Sequence, residues 1–136
     1  MRAVIIEDEE FAARRLERMI AEIDPDIQIV ARLESVSDSV EWLKKEQQPD
    51  LIFMDVHLED NSSFNIFSSV SIHCPVVFTT ATDEKSTIIF RQNNLDYLLK
   101  PICGDELRHL IAKYRNFDVL NYKQVDVQIF SNAKNN

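Results

Sequence analysis

Glycine is nearly missing from this sequence: Gly104 is the only one in 136 residues. A phosphate-cradling Walker loop and a GxGxxG dinucleotide turn each need several glycines where backbone approaches ligand, so both are excluded. Cysteine is scarce too. Cys74 and Cys103 have no metal-ligand spacing, and a chain long enough to bury its own core does not depend on a disulfide, which fits a reducing, cytoplasmic setting. No apolar run approaches the roughly 18 residues of a membrane span, and charged Glu7 arrives too early for a secretory signal. Basic charge is in deficit, with 15 Lys and Arg against 23 Asp and Glu and a formal net charge of -8. That balance opposes binding to a phosphate backbone, whose affinity comes mainly from Lys and Arg, so no nucleic acid is expected on this chain itself.

What is present is an ordinary globular balance, 45% hydrophobic and 28% charged, in a length suited to one domain. Short apolar runs alternate with amphipathic stretches. Residues 3–6, 27–33, 51–54, 76–79 and 95–99 are rich in Val, Ile, Leu and Phe and short enough for buried parallel strands. Helical spacing follows each of them. Phe11, Leu16, Ile20 and Ile23 repeat after Asp8, which predicts a helix capped by Asp8 and stopped at Asp24-Pro25. Weaker patterns cover 36–47, 62–72, a stretch after Asp83, and 105–117. Five strand–helix repeats imply a doubly wound α/β sheet with right-handed crossovers, although periodicity does not order the strands. Residues 1–120 read as the domain. Residues 121–136 are polar and asparagine-rich around an apolar patch at 125–130, and read as a linker or the start of a further domain.

Ligands of an open parallel α/β sheet bind beyond the carboxyl ends of its strands. Those ends carry Glu7 and Asp8, then Asp55, then Thr79 and Thr80, then Lys100 and Pro101. Taken singly, Asp8 is a helix cap, Asp55 a solvated strand-end residue, Thr80 a strand residue, Tyr97 a half-buried aromatic, and Lys100-Pro101 the end of an element. Their joint placement selects a site. Clustered carboxylates repel by a few kcal/mol per pair at an effective dielectric near 20 unless a cation intervenes. All-oxygen ligands favour a hard ion such as Mg²⁺, with Mn²⁺ as a substitute, and leave coordination positions for a phosphate. An Asp between such a cation and a lysine can attack phosphorus, which makes Asp55 the candidate nucleophile.

These residues, with the stretches VIIEDEEFAARRL, VVFTTATDE and LDYLLKPI, resemble the receiver domains of two-component response regulators, in particular those of the LytR/AlgR type, from Met1 to about Phe117. The resemblance implies a flavodoxin-like fold with a five-stranded sheet of order 2-1-3-4-5. It implies Mg²⁺ held by Asp8, Asp55 and the main-chain carbonyl of His57, with Glu7 acting mainly through water. It implies phosphorylation of Asp55 from a sensor histidine kinase, in a transfer that the receiver itself catalyses. Thr80 and Lys100 would contact phosphoryl oxygens, and Tyr97 would turn inward as Thr80 moves. A homodimer would form through the helix 4, strand 5 and helix 5 face, and the bond before Pro101 would be cis. The usual output, a LytTR DNA-binding domain acting in transcription, would follow a linker placed like 121–136.

Four departures from the pattern stand out. Glu7 replaces the more usual Asp, Glu59 a common Pro, and Asn61 a common Gly, where Asn is expected to tolerate a left-handed turn. Thr82 lies where Tyr is frequent. By position, His57 and Thr82 are expected to tune dephosphorylation. Three alternatives remain beside this reading. A haloacid-dehalogenase-like phosphohydrolase expects a second Asp two residues after the nucleophile, where His57 stands. A receiver-like interaction module that is never phosphorylated does not explain Asp8, Asp55, Thr80 and Lys100 together. A flavodoxin needs a phosphate loop that EDEEF cannot supply.

Overall fold

The structure is a computed structural model that describes residues 1–81, 84–116 and 129, with the backbone alone at 84–86. Among the described residues five strands and five helices alternate: β1 (Arg2–Ile6), α1 (Glu10–Ile23), β2 (Gln28–Leu33), α2 (Val36–Lys45), β3 (Leu51–Asp55), α3 (Phe64–Ser69), β4 (Val76–Thr80), α4 (Glu84–Gln92), β5 (Tyr97–Leu99) and α5 (Gly104–Arg115). The strands form one parallel sheet of order β2-β1-β3-β4-β5, the order the family resemblance implies.

Strand side chains alternate between the two faces, and each face has its own core. Ala3, Ile5, Leu51, Phe53 and Val77 join Ala13, Leu16 and Ile20 of α1 and Leu107 and Ile111 of α5. Val4, Ile6, Ile52, Met54 and Phe78 join Leu43 of α2, Phe64 and Phe67 of α3 and Phe90 of α4. On that second face Phe78 and Phe90 stack at 4.7 Å, and Phe90 meets Tyr97 at 5.4 Å. β1, β3 and β4 are covered on both sides, which explains their unbroken apolar runs. The edge strand β2 is largely half-buried.

Several boundaries differ from the periodic reading, each for a local reason. α1 starts one residue later than an Asp8 cap requires: Glu9 is its N-cap, with no side-chain bond. Phe11, placed on the inward stripe by spacing, is 74% exposed, and Ala13 takes that role. α3 is six residues long, not the eleven of 62–72. The Ser68 and Ser69 hydroxyls both donate to the Asn65 carbonyl, offering the backbone an alternative to further helical turns. β5 begins at Tyr97 rather than at 95 because α4 closes there in a Schellman turn. Leu95 N–H donates to the Phe90 carbonyl and Asn94 N–H to that of Arg91, with Asn94 at φ 55. Asn94 alone among the described non-glycine residues has positive φ, so the loop after Asp55 forms without calling on the tolerance of Asn61 for a left-handed turn. The Lys100-Pro101 bond is cis, as expected.

Candidate functional site

β1 and β3 are neighbours whose crossovers leave in opposite directions, which opens a crevice at their carboxyl ends. Glu7 and Asp8 follow β1, and Asp55 ends β3. One carboxylate oxygen from each of the three lies within 4.8 Å of the others. Glu7 and Asp55 are each 6% exposed, while Asp8 is half-buried. Because Glu9 caps α1, the Asp8 carboxylate is available to this cluster.

Lys100, just after β5, bridges two of the acids. Its ammonium donates to Glu7 Oε1 and, at 3.0 Å, to Asp55 Oδ2. The second Glu7 oxygen accepts the Glu9 N–H at 3.1 Å. Burial, reinforced by the charge of Asp55, pushes the Glu7 carboxyl above the usual range despite Lys100. Burial and the neighbouring Glu7 raise Asp8 as well. Burial opposes the charge on Lys100, but its bonds to Glu7 and Asp55 hold it above its ordinary value. The edge is thus an excess of buried carboxylate against one ammonium, a donor set of oxygens that fits a hard divalent cation.

Thr80 is fully buried at the end of β4, one residue beyond Thr79, the register partner of Asp55. Its hydroxyl donates to the Ala81 carbonyl at 2.8 Å, and its own carbonyl accepts the Lys100 N–H at 2.8 Å. Tyr97, half-buried on β5, pairs with Phe78. Asp55, Thr80 and Lys100 are therefore brought to one sheet edge, with Tyr97 two residues into the adjoining strand. Thr82 lies outside the described residues, as does the 121–136 segment apart from Ile129, which packs against the α2–α4 core.

The loop after β3 folds back on itself. Ser63 N–H donates to the Val56 carbonyl at 2.9 Å, His57 and Ser62 form an isolated antiparallel bridge, and Leu58 N–H donates to the Asn61 carbonyl at 3.1 Å. His57 N–H also reaches Asp55 Oδ1 at 3.3 Å. Two features were not legible in the sequence. Asp60, at the loop tip, accepts from Val36 N–H at 2.9 Å and Ser37 N–H at 3.3 Å at the start of α2. Exposed Phe11, with Arg15 and Ile102, lines a cavity of about 440 Å³ beside Glu7 and Lys100.

An open parallel sheet with an acid cluster and a lysine at its switch point belongs to the class of doubly wound α/β domains that carry their site beyond the strand ends. The chain belongs to the response regulator receiver domain family, whose description matches residues 3–112. It is 32% identical over 117 residues to the sensory transduction protein LytT of Enterococcus faecalis, covering 83% of this chain and 47% of that protein. It is 32% identical to the sensory transduction protein LytR of Staphylococcus saprophyticus, covering 83% and 45%. The chain thus spans about half the length of these curated relatives. Among solved structures, the receiver domain of PhyR from Erythrobacter litoralis aligns with a TM-score of 0.70 at 25% identity, covering 92% of this chain and 95% of that one. The response regulatory domain of mrkE from Klebsiella pneumoniae gives the same TM-score and identity over 85% and 95%. Membership in this family decides against the phosphohydrolase and flavodoxin alternatives. Among the described residues, no helix is long and apolar enough to cross a membrane.

Proposed function

We propose that Asp55 is the phosphoacceptor of this receiver and that a sensor histidine kinase is its phosphodonor. The observation that carries the reading is the position of Lys100, held between Asp55 and Glu7 at the edge where three carboxylates converge. An Asp55 oxygen forms the new bond to phosphorus while the bond to the donor breaks. Lys100 shifts from Asp55 to a phosphoryl oxygen, and the Thr80 hydroxyl turns from the Ala81 carbonyl toward another. Mg²⁺, or Mn²⁺ in its place, would be held by Asp8, Asp55 and the His57 carbonyl, with Glu7 acting through water, and would neutralise charge on the transferring group. The chain then catalyses only its own phosphorylation and dephosphorylation, whose rate His57 and Thr82 tune.

Phosphorylation adds about -1.5 to -2 charges at one point. Movement of Thr80 and Lys100, joined through the Thr80 carbonyl, is passed to Tyr97 and the α4–β5–α5 face. Ile88 and Leu99 are exposed on that face, 46% and 41%, which supports a homodimer there. The groove beside Phe11 supports docking of the phosphodonor next to the site. Residues 1–120 act as the receiver unit in the cytoplasm, and 121–136 lead toward an output domain, a LytTR-type DNA-binding domain by likeness to the LytT and LytR relatives.

The test is intact-protein mass after incubation with Mg²⁺ and acetyl phosphate. One phosphoryl group should appear on the wild type, none on Asp55→Asn, and none with chelator. A wild type that binds Mg²⁺ no better than Asp8→Ala and gains no mass would leave the unphosphorylated interaction module instead.

A further inference from the structure

The loop between β3 and α3 carries the His57 carbonyl and the N–H that reaches Asp55 Oδ1. Its two limbs are stitched together by the Val56–Ser63, His57–Ser62 and Leu58–Asn61 pairings. Such a hairpin is stiff along its own length. Leu58 packs into the core from one limb, while Glu59, Asp60 and Asn61 at the tip are exposed. What ties that exposed tip to α2 is Asp60. Its two carboxylate oxygens accept separate N–H groups, from Val36 and Ser37, in the first turn of α2.

The anchor itself is well founded. α2 begins with Ser35, whose hydroxyl accepts the Asp38 N–H at 3.0 Å, so the cap and Asp60 together satisfy three N–H groups of the first turn. α2 is in turn seated on the core through fully buried Ser39 and through Leu43. The contacts run from this packed helix through Asp60 to the hairpin, and through the hairpin to the groups beside Asp55.

We propose that Asp60 is a positioning residue: by tying the hairpin tip to the start of α2 it fixes the His57 carbonyl beside Asp55, and thereby sets the affinity of the acidic site for its divalent cation. The proposal rests on the metal-binding reading given above. It assigns Asp60 no contact with the cation and no part in the phosphoryl transfer.

Three variants separate the tether from its alternatives. Asp60→Ala removes both acceptors. Asp60→Asn removes the charge and keeps a carbonyl oxygen for the Val36 N–H. Val36→Pro leaves Asp60 untouched and deletes the donor at the first helical position, where proline is tolerated and the preceding Ser35 is already extended, with φ -141 and ψ 164. Mg²⁺ affinity is measured by calorimetry on the 136-residue chain, and hydrogen exchange at Leu58 and Ser63 is followed in chelator.

Orienting groups behind metal ligands are typically worth about tenfold or more in affinity. Asp60→Ala and Val36→Pro are both expected to weaken Mg²⁺ binding by about that factor and to speed exchange in the metal-free hairpin, with Asp60→Asn close to wild type. Equal weakening by Asp60→Ala and Asp60→Asn, with Val36→Pro unaffected, would reduce Asp60 to a nearby charge and overturn the tether. Lowered helix stability with unchanged affinity in all three would make it a cap of α2 and nothing more. A wild type that binds Mg²⁺ but takes no phosphoryl group would overturn the phosphoacceptor reading while leaving this comparison decisive. A wild type that binds no Mg²⁺ would overturn both.

Discussion

The Lys100 ammonium stands 3.0 Å from Asp55 Oδ2, bridging two strand ends 45 residues apart, and bonds Glu7 with the same group. One cation thus compensates two carboxylates that are nearly inaccessible to water, and its removal exposes their mutual repulsion.

Replacing Lys100 by Met should therefore destabilise the metal-free protein by about 1–3 kcal/mol, because two buried acids lose their partner. Mg²⁺ should narrow that gap by restoring positive charge. Phosphorylation by acetyl phosphate should slow by about a hundredfold or more, the usual cost of deleting a charge-stabilising donor. Urea titrations with and without chelator, and timed mass spectra, check the two halves separately.

Glu7 carries a pH signature. Its folded-state pKa lies above the ordinary 4.5 because burial outweighs the bond to Lys100. The neutral acid is thus favoured by folding, and its contribution is complete below 4.5 and lost as pH rises through the folded value. In chelator, wild-type stability should fall relative to Glu7→Gln between pH 4.5 and 7. A constant difference across that range in urea unfolding would contradict it.

Asp24 should behave in the opposite sense. At the end of α1 it accepts the Arg115 guanidinium from the end of α5 and the Asp26 N–H at 3.1 Å. Arg115 is the main cause of a carboxyl held below its ordinary 3.8. The stabilisation is present above 3.8 and lost as pH falls through the folded value. Asp24→Asn should be less stable than wild type at neutral pH, and the two should converge in thermal melts taken below pH 3.8.

Ser63 offers a gain rather than a loss. Its hydroxyl is fully buried with no hydrogen-bond partner among the described residues, and although it stands at the N-cap of α3 it makes no capping bond. Ser63→Ala removes an unsatisfied polar group and should stabilise the domain by about 1 kcal/mol. A lower urea midpoint for the variant would show that the hydroxyl is satisfied in solution.

Much of this fold could be read along the chain because its strands are buried on both faces. Residues 51–54 and 76–78 are apolar without interruption, and both lie inside central strands. The reading weakened where one face meets water or a local bond intervenes. Phe11 follows the helical repeat yet faces outward, serine hydroxyls cut α3 short, and β5 starts late because Asn94 takes a left-handed turn after α4. Spacing places Asp8 at a helix cap that Glu9 occupies. Spacing cannot distinguish these outcomes, because each depends on what the rest of the chain places nearby.

The sequence by itself determined the strand–helix alternation and the residue types at each strand end, because burial demands apolar runs and function demands polar residues where they stop. The order of the strands, the pairing of Lys100 with Glu7 as well as Asp55, and the attachment of Asp60 to α2 were decided only by the tertiary structure. Such contacts join residues 24 to 93 positions apart. No local preference encodes them; they follow from which strand ends the packed sheet brings within a hydrogen bond of one another.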